Sequence, residues 1–360
     1  MNVALVYDRV NKWGGAERVL LALQELFPKA TLFTSVYHPE KAAWAKSFII
    51  KPSFLQKFSH VVNHHELYPY LMPTAFESHT FDNYDLVISL TSESAKGIIT
   101  KPHTKHICYC LTPTRYLWSG YDEYFKNSLL RVASKPVVSY LRKWDTYAAS
   151  RPDSFIAISK EVKARIKKYY GRNAAVVYPP VTLISEKLDK TKHMGDYFLI
   201  VSRLSKFTMY KRIDLAIRAC NALGLPLKIV GTGSWKKELE KMSGPTISFH
   251  GDVRDAELKH YYRNCRALIF PGAEDFGLTV VEAQSFGRPV IALGKGGAKE
   301  TVLHGKTGFL FNEQTLESLI DALVQFEELD LKPEDCRAQS LKFGTDAFKE
   351  QFLKLVSVKN

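Results

Sequence analysis

Short runs of β-branched and other apolar residues recur along the whole chain, separated by amphipathic stretches, and this alternation limits the fold more than any other feature. In the first half NVALVY, ATLFTSVY, DLVISL, KHICYC, DSFIAIS and AAVVYP read as strands, with helical patterns at 16–26 and 160–170. In the second half YFLIVS, LKIVG, TISFHG, ALIFP and PVIALG repeat the rhythm, with helices at 212–223 and 234–242. Strands and helices in alternation predict parallel, doubly wound sheets covered on both faces. Between the halves lies VVYPPVTLISEKLDKTKHMGD, where Pro179 and Pro180 forbid continuous helix. The expectation is an α/β protein of two Rossmann-like domains, 1–180 and 181–340, facing a central cleft. A C-terminal helix within 341–360 is expected to pack back on the first domain. Ligands of open parallel sheets bind beyond the carboxyl ends of strands, so the loops after strands are where chemistry is sought.

Length agrees with two domains, because 360 residues exceed one ordinary core. No apolar run reaches the roughly 18 residues that span a bilayer, and the opening MNVALVYDRVNKWGG lacks a basic region followed by a long apolar core. A cytoplasmic location is expected, with peripheral attachment to the inner face of the cell membrane. The five cysteines, Cys108, Cys110, Cys220, Cys265 and Cys336, lack zinc spacing and are expected as buried free thiols. The net charge of +13 is uneven: residues 1–180 hold 24 Lys and Arg against 14 Asp and Glu, a balance of +10. Such a field suits nucleic acid, anionic lipid or phosphorylated ligands. The basic residues are interspersed and form no helix-turn-helix, OB or RRM pattern, so nucleic acid is not the expected partner. In KPSFLQKFSHVVNHHELYPYLMP, the residues Phe54, Leu55, Phe58, Val61 and Val62 recur at helical spacing beside Lys51 and Lys57. This stripe has two readings, a membrane-facing helix or a packed face closed by Tyr68, Tyr70 and Met72.

Four loops after strands carry candidate site residues. WGGAERVL places Gly14 and Gly15 before a helix; they either close a tight turn or let backbone approach a ligand. VSRLSKFTMYKRIDLAI supplies Arg203 at a strand end and Lys211 before a helix, two cations for a phosphate group. IVGTGSWKKELEKM turns at Gly231 and Gly233 as nucleotide-binding loops do, without the third glycine of the dinucleotide fingerprint. IFPGAEDFGLTVVEAQSFGRPVIALGKGG sets Glu274 after a strand, Gly277 at a helix start and Glu282 eight residues beyond Glu274. The N–H groups of Gly277, Leu278 and Thr279 lack partners within a helix and suit a diphosphate. Glu282 is able to accept two hydrogen bonds from a ribose diol, and its apolar neighbours Val280, Val281 and Ala283 ask for such a partner.

AEDFGLTVVEA resembles the E-x7-E motif of family 4 glycosyltransferases, whose fold is GT-B and whose reaction retains anomeric configuration. SRL with YKRIDLAI, VGTGS, FHGDV, RPVIA, and GGAKETV with HGKTGFLF follow that family's order, while CYCLTPTRYLW and WGGAERVL resemble the bacterial branch that builds surface polysaccharides. The resemblance implies a hexosyltransferase, with mannose from GDP-mannose as the first expectation and UDP-hexoses next, acting on a glycan or lipid-linked acceptor. It implies that Arg203 and Lys211 stabilise the departing diphosphate, that Glu274 faces the donor sugar and that Glu282 binds ribose. Gly14, Gly15, Gly231, Val253 and the run Phe276, Gly277, Leu278 and Thr279 then fall on the donor, with Asp252 and Arg254 near the base. Thr112, Arg115, Tyr116 and Trp118 fall on the acceptor side, where Leu111 stands in place of the family's usual histidine. No cofactor and no metal are expected, since no acidic pair of the D-x-D kind occupies a donor loop; Asp82 and Asp85 read as a turn before a strand. A GT-B epimerase and a non-catalytic nucleotide-sugar-binding protein are the alternatives.

Overall fold

The computed structural model describes residues 1–184 and 195–357. It divides the chain into two units, one of residues 1–179 with 349–360, the other of residues 180–348. The linker residues Ser185 to Met194 lie outside the described residues.

The first unit is built on seven strands: β1 (Val3–Tyr7), β2 (Thr31–Thr34), β3 (Ile49–Pro52), β4 (Leu86–Thr91), β5 (Lys105–Cys110), β6 (Ser154–Ala157) and β7 (Ala174–Val176). All pair in parallel, in the order β3-β2-β1-β4-β5-β6-β7. The inner strands β1 and β4 are buried at every residue, which is why they read as unbroken apolar runs. Helix boundaries follow local chemistry. The helix Lys160–Tyr170 starts where the Ser159 hydroxyl accepts from the Val162 N–H, and it stops at Gly171, whose φ of 68° suits glycine.

The second unit holds β8 (Tyr197–Val201), β9 (Leu227–Val230), β10 (Ile247–Gly251), β11 (Cys265–Phe270), β12 (Val290–Leu293) and β13 (Gly308–Phe311). They too pair in parallel, in the order β10-β9-β8-β11-β12-β13. A core lies on each side of this sheet, one around Phe198, Ile229 and Leu323, the other around Leu199, Leu268 and Phe286. Two parallel α/β sheets of Rossmann type are thus what the alternation dictates.

Several elements escaped the sequence pattern, among them two strands and two long helices. Strand β3 is short, lies at the sheet edge and leaves Ile49 66% exposed, so its apolar signal is diluted. Strand β13 is four residues following a glycine-flanked turn. The helices Ser128–Ala148 and Leu316–Phe326 were also missed, and the first of them carries Pro136 inside it, which argues locally against a helix. The expected helix over residues 54–62 is two pieces, a 3-10 turn Phe54–Lys57 and a short helix Ser59–Asn63. Leu55 and Val61 pack with Val36, Met72 and Ala75, whereas Phe58 and Tyr70 are exposed, so the apolar stripe is mostly spent on the core. The terminal helix spans Thr345–Ser357. The change of unit falls at 349 and not at 341: Lys349 pairs with Glu25, and the buried Phe352 ring lies 6.3 Å from that of Tyr109. All five cysteines are free and buried, and burial pushes the thiols of Cys220, Cys265 and Cys336 up to about 12. These three are thiols, not thiolates, at neutral pH. Among the described residues no helix is long and apolar enough to cross a membrane.

Candidate donor site of the second unit

In the second sheet the strand order reverses between β8 and β11, and the loops after these two strands meet at the reversal. Glycine makes their approach possible. A side chain at Gly272 would put its Cβ 2.5 Å from the Lys211 Cα and 2.8 Å from the Tyr210 carbonyl oxygen. The Lys211 ammonium donates to the Glu274 carboxylate at 2.6 Å, with the two side chains 15% and 21% exposed. Lys211, Glu274 and Thr279 line one recess with Ser202 and Gly272. Behind Glu274 stands the glycine pair after β12: the Gly297 N–H donates to the Glu274 carbonyl at 2.9 Å, and a Cβ on Gly296 would lie 2.3 Å from that same oxygen. The segment GKGGAK therefore fixes the backbone of the glutamate loop.

Lys211 is held from its other side by an unusual turn. Arg212 is the one non-glycine residue with positive φ among the described residues, at 51°, and its guanidinium bonds Asp214 at 3.1 Å in the first turn of the helix Ile213–Leu223. A left-handed arginine costs about 1 to 2 kcal/mol, a strain that residues at functional sites commonly carry.

The helix Leu278–Ser285 opens with Gly277 at φ 86°, where a Cβ would also strike the Phe270 ring at 2.9 Å. No side chain caps this helix, and its first turn has no acidic residue. The N–H groups of Leu278 and Thr279 thus keep the partial positive charge of a helix start. Phe276 points elsewhere; it is buried and lies edge-on to Phe343, so only its backbone is available to the loop. Glu282 is 8% exposed and accepts from the Tyr262 hydroxyl at 2.6 Å. The partner that its apolar setting demands is, in part, this tyrosine.

Other candidates are placed differently. Arg203 is exposed just beyond the end of β8. The reason is that the chain leaves the sheet there, at Ser202. The angles of Gly231 and Gly233 serve a loop contact: Cβ atoms on them would lie 1.8 Å from the Ser202 carbonyl oxygen and 2.2 Å from that of Leu204. The helix after this turn is only Lys236–Lys241. Val253 is half-buried against the second core.

In the first unit Gly14 precedes the helix Gly15–Leu26 with a φ of −177°, which any residue adopts, so the turn itself does not require glycine there. Of the acceptor-side candidates, Thr112 is buried and lies 3.4 Å from the Arg165 guanidinium. Trp118 donates its indole N–H to Asp145 at 2.7 Å and stacks on Tyr169. Arg115 and Tyr116 are half-buried in the same loop after β5, and Leu111 is half-buried at its start.

Two buried polar clusters in this unit went unread in the sequence. Asp8, at the end of β1, accepts from the N–H groups of Ser92, Glu93, Ser94 and Ala95 at 2.7 to 3.0 Å and from the Thr91 hydroxyl at 3.0 Å. Arg9 beside it pairs with Glu93. Burial opposes charge on Glu93, but the guanidinium outweighs it and holds the carboxyl below its usual range. Asp145, 1% exposed, accepts from Lys96, Thr114, Trp118 and Tyr170. Burial would strip the proton from Lys96, and the Asp145 carboxylate more than reverses this. Asp145 thereby ties the loop after β5 to the loop after β4. It sits on the proline-containing helix that the pattern missed, so no local signal marked it.

The two parallel sheets define a two-Rossmann α/β protein of the GT-B class. The UDP complex of the Anabaena protein HepE superposes on it with a TM-score of 0.72 at 18% identity, covering 100% of both chains. Residues 185–343 match the family model described as glycosyl transferases group 1. Among curated relatives, an uncharacterized glycosyltransferase of Methanocaldococcus jannaschii is 29% identical over 191 residues, 51% of this chain and 53% of that one. A GDP-mannose-dependent α-(1-6)-phosphatidylinositol monomannoside mannosyltransferase of Mycobacterium tuberculosis is 26% identical over 196 residues, 47% of this chain and 51% of that one. The chain thus matches about half the length of these relatives.

Proposed function

We propose that the protein is a glycosyltransferase that takes a hexose from a nucleoside-diphosphate donor with retention of configuration. The observation that carries this reading is the half-buried pair Lys211 and Glu274 at the strand-order reversal, beside a helix start that the protein leaves uncapped. A diphosphate seated on the N–H groups of Leu278 and Thr279 places its negative charge next to the Lys211 ammonium. Arg203, exposed at the neighbouring strand end, supplies a second cation. Glu274 then turns from lysine to the sugar's hydroxyls, and Glu282 shares its carboxylate between Tyr262 and the ribose diol.

The chemistry follows from what these groups do. The bond from the anomeric carbon to the diphosphate breaks, an oxocarbenium-like centre forms, and the acceptor hydroxyl enters on the face the diphosphate leaves. The departing phosphate oxygen is the strongest base being generated there and takes the acceptor's proton. The protein contributes position and fixed positive charge where negative charge grows, and such electrostatic stabilisation is usually the largest part of a rate enhancement. With cations and helix N–H groups in that role, transfer is expected to proceed in EDTA.

The donor is assigned as GDP-mannose first, on the GDP-mannose dependence of the mycobacterial relative, with UDP-hexoses second, on the UDP bound to the Anabaena neighbour. The acceptor is a glycan or lipid-linked sugar of cell-surface polysaccharide assembly, reached on the inner face of the membrane. Thermal-shift measurements with GDP, UDP and ADP test the base: a nucleotide at about 100 times its Kd adds roughly 2.7 kcal/mol. NMR of the product tests retention, and an inverted anomer would overturn the mechanism. Release of free sugar epimer without acceptor would favour the epimerase alternative, and binding without turnover the non-catalytic one.

A further inference from the structure

The helix Ser128–Ala148 presents a surface that the donor chemistry does not use. Its inner face is Val138, Leu141, Asp145 and Ala148, all buried. At 3.6 residues per turn the opposite face carries Leu129, Val132, Pro136, Tyr140, Lys143 and Tyr147. Along it Leu129 is 79% exposed, Val132 69%, Tyr140 49% and Tyr147 65%. Exposed large apolar side chains in a row on one helix face mark a contact surface, unlike the same residues scattered singly. From Ser128 to Trp144 the helix holds Arg131, Lys135, Arg142 and Lys143 and no Asp or Glu. These four cations line one open groove with Tyr121, whose ring is flanked by the Arg142 guanidinium at 4.5 Å and that of Arg131 at 5.2 Å.

We propose that this face docks the protein on an anionic lipid bilayer, with the apolar row entering the headgroup boundary and the cations meeting lipid phosphates. Cations beside an apolar stripe on a surface helix are the chemistry such an interface takes. Pairing with a second copy through the same face would bring Lys135 and Lys143 against the same cations, and the neighbouring carboxylate, Asp122, is already paired with Arg131 at 2.7 Å. Nucleic acid would leave Leu129 and Val132 in water. The alternative basic stretch at residues 51–62 is poorly suited: Leu55 and Val61 are in the core, and the Lys51 ammonium rests 5.5 Å from the Phe33 ring. This inference gives the lipid-linked acceptor of the transferase reading a surface, but docking needs neither donor nor acceptor.

Sedimentation of the full chain with phosphatidylglycerol or phosphatidylcholine vesicles, in the absence of nucleotide, tests it. Binding is expected to favour phosphatidylglycerol and to weaken with salt. Lys135→Glu with Lys143→Glu is expected to lower partitioning roughly tenfold or more. Leu129→Ser with Val132→Ser weakens binding and leaves its salt dependence, and Lys51→Glu with Lys57→Glu leaves binding as it was. All these positions are exposed, and unchanged melting curves establish that the variants fold. Equal binding to both vesicles overturns the proposal. So does wild-type partitioning by the helix-face variants, equal loss on reversing Lys51 and Lys57, or a dimer abolished by the two serine substitutions in a protein that ignores vesicles. None of those outcomes touches the donor site, whose nucleotide affinity is read separately by thermal shift.

Discussion

The two sheets reverse their strand order in the same way, yet they treat the reversal differently. In the first, between β1 and β4, the protein's own Asp8 fills a nest of four N–H groups and is 5% exposed. In the second, between β8 and β11, the helix start at Gly277 has no side-chain cap, and a lysine and glutamate stand half-buried beside it. Donors satisfied from within hold loops together; donors left unsatisfied beside a fixed cation are a place for an anion. One topology therefore gives a crevice filled from within in one unit and one left open in the other. The choice depends on whether the sequence supplies a carboxylate at the end of the first strand.

The strongest way to break this contrast is to empty the filled crevice. Asp8→Ala takes the carboxylate away from four backbone donors, of which the Glu93 N–H keeps the Thr91 hydroxyl at 3.0 Å, and it is expected to cost about 3 kcal/mol or more of stability. Urea denaturation measures the loss, and nucleoside-diphosphate affinity of the folded protein is expected to persist. A variant as stable as the wild type would mean the nest is incidental. Next in size is Lys211→Ala, expected to lower transfer by roughly 100-fold, about 2.7 kcal/mol, while the fold survives. Near-normal turnover would remove Lys211 from the donor chemistry.

Acid sharpens the contrast between the units. Among the described residues the two buried histidines, His65 and His106, both belong to the first unit. Burial, aided by Arg151, lowers the His106 pKa to about 3. Its folded pKa lies below the unfolded value of about 6.5, so the unfolded chain binds the extra proton. The contribution of neutral His106 is complete above about pH 6.5 and is lost as pH falls towards 3, amounting to about 2 kcal/mol by pH 5. His106→Gln is expected to flatten this part of the stability profile; an unchanged slope would show that other groups govern it. The smallest expected effect lies in the open crevice. Glu282→Ala should weaken free nucleoside diphosphate, Glu274→Ala should spare that binding and impair transfer, and Tyr262→Phe should weaken the nucleotide by about 1 kcal/mol through a looser Glu282. Calorimetry that finds equal losses for Glu274→Ala and Glu282→Ala would reverse the two assignments.

By itself the sequence determined the doubly wound halves, because strands buried on both faces must be written as apolar runs and their covering helices as amphipathic ones. It also marked the loop from Glu274 to Glu282, where glycine, acid and helix start are neighbours in the chain. It did not show that Lys211 meets Glu274, since that contact joins residues 63 apart and depends on the absence of a side chain at Gly272. Nor did it show the Asp8 nest, whose donors are backbone groups more than 80 residues away and leave no trace in residue type. The same limit separated the two basic surfaces. Residues 51–62 and 129–147 both alternate cations with apolar groups, and only packing decided that Leu55 and Val61 lie inside while Leu129 and Val132 face water. Periodicity says that a helix or turn has an apolar side, but whether that side is covered depends on what the rest of the chain brings to it.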